Sequence, residues 1–180
     1  MIDPWEEISS ALQGDYEVFR VHRKICKSPR TGEEHAFHLI ESPDWVNVLP
    51  VTADGRFVMI EQYRHGSQSV TLEIPGGLID ASDVSPAVAA RREMIEETGF
   101  DTDQIGYLGV VSPNPAVQTN HCYAFIARGA EPVADQSLDG AEDIVVRMIE
   151  PAEVPGLIAE GRISHALVIA TFYLYEHQRR

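Results

Sequence analysis

The stretch "GGLIDASDVSPAVAARREMIEETGF", Gly76 to Phe100, decides how this chain is read. Ser85 before Pro86 supplies an N-cap and a first-turn proline, and Gly99 supplies a stop, so a helix is predicted from about Pro86 to Thr98. At 3.6 residues per turn, Glu93, Glu96 and Glu97 share one face. Ala89 and Ala90 flank that face with small side chains, and Ala87, Met94 and Ile95 lie on the other side. The expected helix therefore has an apolar back and an open acidic front. Such a front is unfavourable on its own. Glu96 and Glu97 oppose the helix dipole at its C-terminal end, at roughly 0.3–1 kcal/mol each, and Glu93 repels Glu97 at i,i+4. A hard divalent cation, Mg²⁺ or Mn²⁺, reverses that penalty, because it takes carboxylate and carbonyl oxygens. Gly76-Gly77 follows a predicted strand and lets bare backbone approach an ion or a phosphate. Arg92, at i,i+4 from Glu96, can orient that carboxylate.

The totals narrow the class. The chain has 180 residues, 44% of them hydrophobic, which is enough for one domain with a modest extension. Its 28 acidic and 14 basic residues give a formal charge of −14, which disfavours nucleic acid and anionic membrane as partners. "MIDPWEEISSALQG" has no basic segment leading into an apolar run, and no stretch approaches the roughly 20 apolar residues of a membrane span. Cys26 and Cys122 are far apart and outside any metal or redox spacing, so two reduced thiols in a cytoplasmic protein are expected.

Along the chain, Asp3, Pro4 and Glu6 have the spacing of a helix start, and "DPWEEISSAL" is expected to form a short helix. "YEVFRVHRKIC" and "EHAFHLIE" are predicted as a hairpin joined by "SPRTGE". "DWVNVLPVT", turning at Asp54-Gly55 into "RFVMIEQYR", makes a second hairpin, and "SVTLEIP" makes a strand that enters the diglycine. "YLGVV", "HCYAFIA" and "DIVVRMI" are further strands. "PAEVPGLIAEG", interrupted at Pro155, and "SHALVIATFYLYEHQRR", capped by Ser164, are closing helices. This order implies α+β or mixed α/β layers. The long loops "SPNPAVQTN" and "RGAEPVADQSLDGAED" are of the functional kind.

The opening stretch resembles the Nudix box, whose pattern is glycine, five residues, glutamate, seven residues, then Arg-Glu-U-x-Glu-Glu-x-Gly-U, with U bulky and apolar. "REMIEETGF", Arg92 to Phe100, matches the second half completely. The first half departs: the sixth residue after Gly77 is Asp83 rather than glutamate, and eight residues separate it from Arg92. We read a one-residue loop insertion, with Asp83 standing in for the glutamate. The resemblance implies an α+β fold, an α/β/α sandwich around a mixed β-sheet, with an N-terminal hairpin extension. It implies Glu93 and Glu97 as principal metal ligands, Glu96 as a further one, the Gly76 carbonyl as a backbone ligand and Arg92 as the orienting residue. The implied reaction is Mg²⁺-assisted attack of water on a diphosphate, with Mn²⁺ as a substitute.

Beyond the box, "PRTGEEHAFHLIESPDWVNVLPVTADGRFVMIEQYRHGSQSVTLEIPGG" resembles the ADP-ribose and nucleoside-diphosphate-sugar pyrophosphatases within that family. The resemblance implies a domain at 43–180 preceded by a strand extension at 1–42 that exchanges between subunits of a homodimer. Arg64 in "EQYRHG" is a phosphate-binding candidate, Glu73 a residue beside the metal loop, Trp45 a base-stacking candidate, and His65 a turn or phosphate residue. For the general base, "DQSLDGAEDIVV" offers Asp139, Glu142 and Asp143, with Glu142 and Asp139 foremost. The substrate expected is a nucleoside-diphosphate-linked small molecule. The alternatives are a nucleoside-triphosphate housecleaning hydrolase and a non-catalytic nucleotide-sugar sensor, the latter disfavoured by the intact carboxylates. A Ca²⁺ loop at "IDASDVS" lacks the ligand series of an EF-hand.

Overall fold

A computed structural model describes residues 2–178. Close contacts divide the chain into two compact units, Met1–Pro43 with Ser112–Asn120, and Asp44–Val111 with His121–Arg180.

In the first unit, β1 (Glu6–Asp15), β2 (Arg20–Lys27) and β3 (Glu34–Glu41) form an antiparallel sheet in sequence order. The helix expected over "DPWEEISSAL" is therefore corrected to a strand. Every residue from Glu6 to Gln13 is exposed, so no packed face supports a helix there, and backbone pairing from Glu6↔Lys27 to Asp15↔Arg20 satisfies the peptide groups instead. Lys24 pairs with Glu7 across the ladder at 2.7 Å. The 112–120 segment joins this unit through the Ile40 N–H, which donates to the Val117 carbonyl at 2.7 Å.

The second unit is a layered structure on a mixed sheet. β4 (Trp45–Val51) lies parallel to β10 (Cys122–Arg128), and β9 (Ile105–Val111) runs antiparallel beyond it. On the other side, β5 (Phe57–Arg64) pairs with β12 (Ile144–Ile149) and with β6 (Ser69–Glu73). Three short strands escaped the sequence pattern. β7 (Gly76–Leu78) pairs with β4, and β8 (Phe100–Asp101) pairs with β11 (Glu131–Pro132). None is long enough to show a period.

The period-two alternation of β4 and β10 divides the core. Val46, Val48, Phe125 and Ala127 pack against Ala89, Ala90 and Met94 of α1 (Pro86–Thr98). Leu49, Ala124 and Ile126, with Phe57 and Met59, pack against α2 (Val154–Ala159) and α3 (Ala166–Gln178). Pro151–Glu153 forms a 3₁₀ turn before α2. The expected α/β/α layering is thus present. α3 starts one residue later than a Ser164 cap implies, with the His165 carbonyl accepting from the Ile169 N–H, and Arg179 and Arg180 of the expected helix lie outside the described residues.

α1 has the predicted ends. Ser85 Oγ accepts from the Val88 N–H at 3.3 Å, and Gly99 takes the left-handed φ of 72° while its N–H caps the Ile95 carbonyl. The Gly99 carbonyl then accepts from the N–H groups of Val133 and Ala134, and a Cβ at this position would run into the Ala134 carbonyl. A left-handed non-glycine residue costs roughly 1–2 kcal/mol before any clash. Gly99→Ala is therefore expected to lower the thermal midpoint by at least about 2 °C, followed by circular dichroism. An unchanged midpoint would show that the loop does not dock on this helix end.

Candidate active site

α1 does not present an open acidic front. Its buried residues are Ala89, Ala90, Glu93, Met94, Glu97 and Thr98, so Glu93 and Glu97 point inward on the same stripe as the small alanines. The small residues let the helix sit close to the sheet, and two carboxylates are carried in with it. Glu96 remains half-exposed.

The diglycine admits them. Gly77 has no side chain where Glu93 packs, and a Cβ there would lie 2.5 Å from Glu93 Oε1. The Gly76 N–H donates to Glu97 Oε2 at 2.9 Å. Burial pushes Glu97 up to about 8, and Glu93 and Glu142 push in the same direction, against the Gly76 N–H and Arg64. Burial likewise raises Glu93, against the attraction of Arg92.

Arg92 is the hub of the loop. Its guanidinium donates to Glu93 and Glu96 at 2.9 Å, to the Leu78 carbonyl at 3.0 Å, and to both oxygens of Asp83 at 3.3 and 3.0 Å. The hydrogen bonds to Asp83, with the nearby glutamates, hold Arg92 firmly charged, and they hold Asp83 below the usual carboxylate range. Asp83 also accepts from the Asp80 N–H at 2.9 Å. The shorter aspartate, with its extra loop residue, thereby becomes the brace of Arg92.

Arg64 and Glu73 form a second knot. Arg64 donates through Nε and a terminal nitrogen to Glu73, both at 2.8 Å, and Thr71 Oγ1 donates at 2.6 Å. His165 Nδ1 lies 2.7 Å from Glu73 Oε2. Glu73 is only 2% exposed. Burial alone would raise its pKa, yet the Arg64, His165 and Thr71 hydrogen bonds outweigh it and hold Glu73 well below the usual range. Arg64 and Glu73 thus lie together beside the diglycine, with two of the guanidinium donors committed to this carboxylate.

A cavity of about 570 Å³ opens over this knot. It is lined by Trp45 and Asn47 of β4, Gly76 and Gly77 of β7, Arg64, and His165 before α3. Trp45 is half-buried in its wall. His65 also lines it, edge-on to Tyr63 with ring centroids 5.2 Å apart.

The loop carrying Asp139 and Glu142 is tied to the C-terminal end of α1. The Gln136 side-chain amide donates to the Glu97 carbonyl at 2.6 Å, and the Ser137 N–H donates to the Glu96 carbonyl at 2.9 Å. Glu142 is among the charges that push both buried glutamates up. Asp139 instead shapes the turn. Its carboxylate accepts from the Ala141 N–H at 2.7 Å, while its own N–H donates to Glu142 Oε2 at 3.0 Å. Asp143 is exposed at the strand entry.

Asn47, Thr71, Gln136 and His165 escaped the sequence reading. His165 stands 92 positions from Glu73, and a histidine before a terminal helix carries no local signal. Asn47 interrupts an otherwise apolar strand, which was the one visible hint.

As placed, the carboxylates are engaged with Arg92 and the Gly76 N–H, and among the described residues no three histidine, cysteine or acidic side chains already converge on one point. The donor set nonetheless suits a hard divalent ion. Two buried carboxylates, a third half-exposed, and adjacent glycine backbone are all oxygen donors, and Glu93 and Glu97 share a buried site that disfavours their charge.

The NUDIX domain profile matches residues 42–172. The chain therefore belongs to the Nudix family and is a pyrophosphohydrolase of it. It is 31% identical over 147 residues to the methanol dehydrogenase activator of Bacillus methanolicus, covering 79% of this chain and 78% of that one. It is 25% identical over 167 residues to an ADP-ribose pyrophosphatase of Mycobacterium tuberculosis, covering 92% and 80%. The fold is similar to the crystal structure of an ADP compounds hydrolase, with a TM-score of 0.87, 20% identity, and 99% and 95% of the two chains covered.

The buried carboxylates set a pH dependence. The fold favours neutral Glu97, whose folded pKa of about 8 exceeds its ordinary value of 4.5. Between those values the folded state binds more protons than the unfolded, so the metal-free protein loses stability as pH rises through that window. Glu97→Gln is expected to raise the metal-free midpoint at pH 8 and to flatten the pH profile. Added Mg²⁺ should stabilise the native protein more at pH 8 than at pH 5.5, since ligation requires the carboxylate. Differential scanning calorimetry checks all three, and equal Mg²⁺ effects at both pH values would refute the assignment.

Proposed function

We propose that this protein hydrolyses the diphosphate bond of ADP-ribose or a related nucleoside diphosphate sugar, in a Mg²⁺-dependent reaction that gives a nucleoside monophosphate and a sugar phosphate. The observation that carries this reading is the pair of buried carboxylates, Glu93 and Glu97, packed against Gly76-Gly77, a diglycine that also lines a cavity of about 570 Å³. The name of the mycobacterial relative, an ADP-ribose pyrophosphatase, supports the substrate class.

In this reading Glu93, Glu97 and Glu96, with the Gly76 carbonyl, hold the cation, and Mn²⁺ substitutes for Mg²⁺. When bound, the cation supplies Lewis acidity and offsets the charge of the diphosphate. Arg92, braced by Asp83, fixes Glu93 and Glu96. Arg64 aligns the phosphates from the cavity side, and Trp45 offers a flat wall for a base. Glu142 takes the proton of the attacking water as the oxygen bonds to phosphorus and the bridging oxygen departs with the other phosphate. Asp139 serves by shaping the turn that carries Glu142.

We also propose that the first unit assembles a homodimer. β1 is exposed along nearly its whole length, Ile8, Leu12 and Phe37 are exposed apolar residues, and a three-stranded sheet buries little by itself. Two free thiols, Cys26 and Cys122, support a reducing cytoplasmic setting. No helix among the described residues is long and apolar enough to cross a membrane.

A panel of ADP-ribose, nucleotide sugars, dinucleotides and nucleoside triphosphates with Mg²⁺ or Mn²⁺, resolved by chromatography, tests the substrate class. Turnover confined to triphosphates would select the housecleaning reading, and tight binding without turnover the sensor. Glu142→Gln is expected to lower kcat by about 10²–10⁴-fold at saturating Mg²⁺. Asp139→Asn is expected to lower it by less than about tenfold, as fits a turn-shaping residue. If both keep near-normal kcat, no base lies on this loop and Glu93 inherits the role. Sedimentation should return twice the 20.0 kDa chain mass, and an active monomer would remove the dimer.

A further inference from the structure

The Glu73 knot leaves one edge of His165 unaccounted for. Glu73 is ionised and accepts from Arg64 and Thr71, so the contact with His165 at 2.7 Å is a donation from Nδ1. That bond fixes the ring plane and the tautomer. The ring remains 34% exposed and lines the cavity, with Nδ1 turned to the buried carboxylate. Nε2, at the opposite corner, is the nitrogen left for a ligand. A second observation in the same cavity points the same way: Asn47 is 7% exposed, and its side-chain Nδ2 is buried without a hydrogen-bond partner.

The chemistry of Nε2 narrows the ligand. With Nδ1 protonated, neutral imidazole has Nε2 as an acceptor, and only the imidazolium makes it a donor. A phosphate oxygen requires the donor form. A sugar hydroxyl serves in either form, because it donates to the neutral ring and accepts from the charged one.

We propose that His165 is a substrate-binding and specificity-determining residue, whose Nε2 hydrogen-bonds a sugar hydroxyl of the bound nucleotide sugar while Glu73 holds Nδ1. This rests on the reading of the cavity as the nucleotide-sugar site. The hydroxyl belongs either to the nucleoside ribose or to the linked sugar, and the two present the same chemistry to the ring. The Glu73 knot then does two jobs from one carboxylate, steadying Arg64 beside the diphosphate and aiming His165 at the sugar. Ligands without that hydroxyl lose the contact, which selects for a sugar rather than for any diphosphate.

Two substitutions separate the ring's nitrogens. The amide of His165→Asn mimics Nδ1 and keeps the Glu73 bond, whereas that of His165→Gln mimics Nε2 and keeps the cavity contact. Calorimetric Kd values for ADP-ribose, its analogue deoxygenated in the nucleoside ribose, its analogue deoxygenated in the linked sugar, and inorganic diphosphate are measured with Mg²⁺, alongside KM and kcat. His165→Asn is expected to weaken ADP-ribose about tenfold in Kd and KM, with kcat within about threefold and an unchanged melting midpoint. His165→Gln should recover most of the loss. One deoxy analogue should bind the native protein about tenfold more weakly and show no further loss with His165→Asn, which identifies the hydroxyl. Diphosphate should bind both proteins alike. Equal losses for diphosphate and ADP-ribose, additive losses with both deoxy analogues, or no loss would overturn the proposal, as would failure of every ligand to bind. If His165→Asn does not fold, the deoxy analogues and His165→Gln still decide it: no loss with either analogue would overturn the contact. Binding without hydrolysis would sink the hydrolase reading alone, since the Kd comparison stands without turnover.

Discussion

The burial of Glu93 and Glu97 against Gly76-Gly77 is the constraint on which the second unit depends. Two carboxylates on successive turns of one helix, both facing the sheet, are disfavoured by desolvation and by each other. They are held there because Ala89, Ala90 and Met94 dock the same helix face onto Val46, Val48 and Phe125. The apolar contacts supply the driving force, and the absence of side chains at the diglycine supplies the room. A cation that took these oxygens would offset the penalty at its source, which is why the family's chemistry and this packing arrangement go together.

Around that constraint, each charged group is braced by another. Asp83 fixes Arg92, and Arg92 fixes Glu93 and Glu96. Glu73 fixes Arg64 and His165. Gln136 and Ser137 tie the Glu142 loop to the carbonyls at the end of α1. The two faces of the sheet divide the labour. α1 brings the acidic residues from one side, and the cavity with its arginine and histidine residues opens beside α3. The diglycine strand borders both. A chain with a net charge of −14 thereby keeps an arginine at the cavity, paired with Glu73.

Most of this was legible in the chain wherever a local rule sufficed. The ends of α1 follow from Ser85, Pro86 and Gly99, and the layers follow from the alternation of β4 and β10. Local rules failed where partners are distant. "DPWEEISSAL" has good helix-start spacing, yet no packed face supports it and strand pairing prevails. The acidic face of α1 read as solvent-facing because helical period gives angular position and not which side meets the sheet. His165 and Asn47 were invisible as site residues because only the tertiary fold brings them to Glu73 and the diglycine. Asp83 was visible as a departure from pattern, and its meaning came from the guanidinium it holds.

The most direct test is the proton count on cation binding. Isothermal titration of Mn²⁺ or Mg²⁺ at pH 6.5, in buffers of differing ionisation heat, reports protons released per ion. With Glu97 held up to about 8 by burial, binding should release close to one proton per ion, and Glu97→Gln should remove most of that release. Release of no proton by the native protein, or the same release by the variant, would contradict the account.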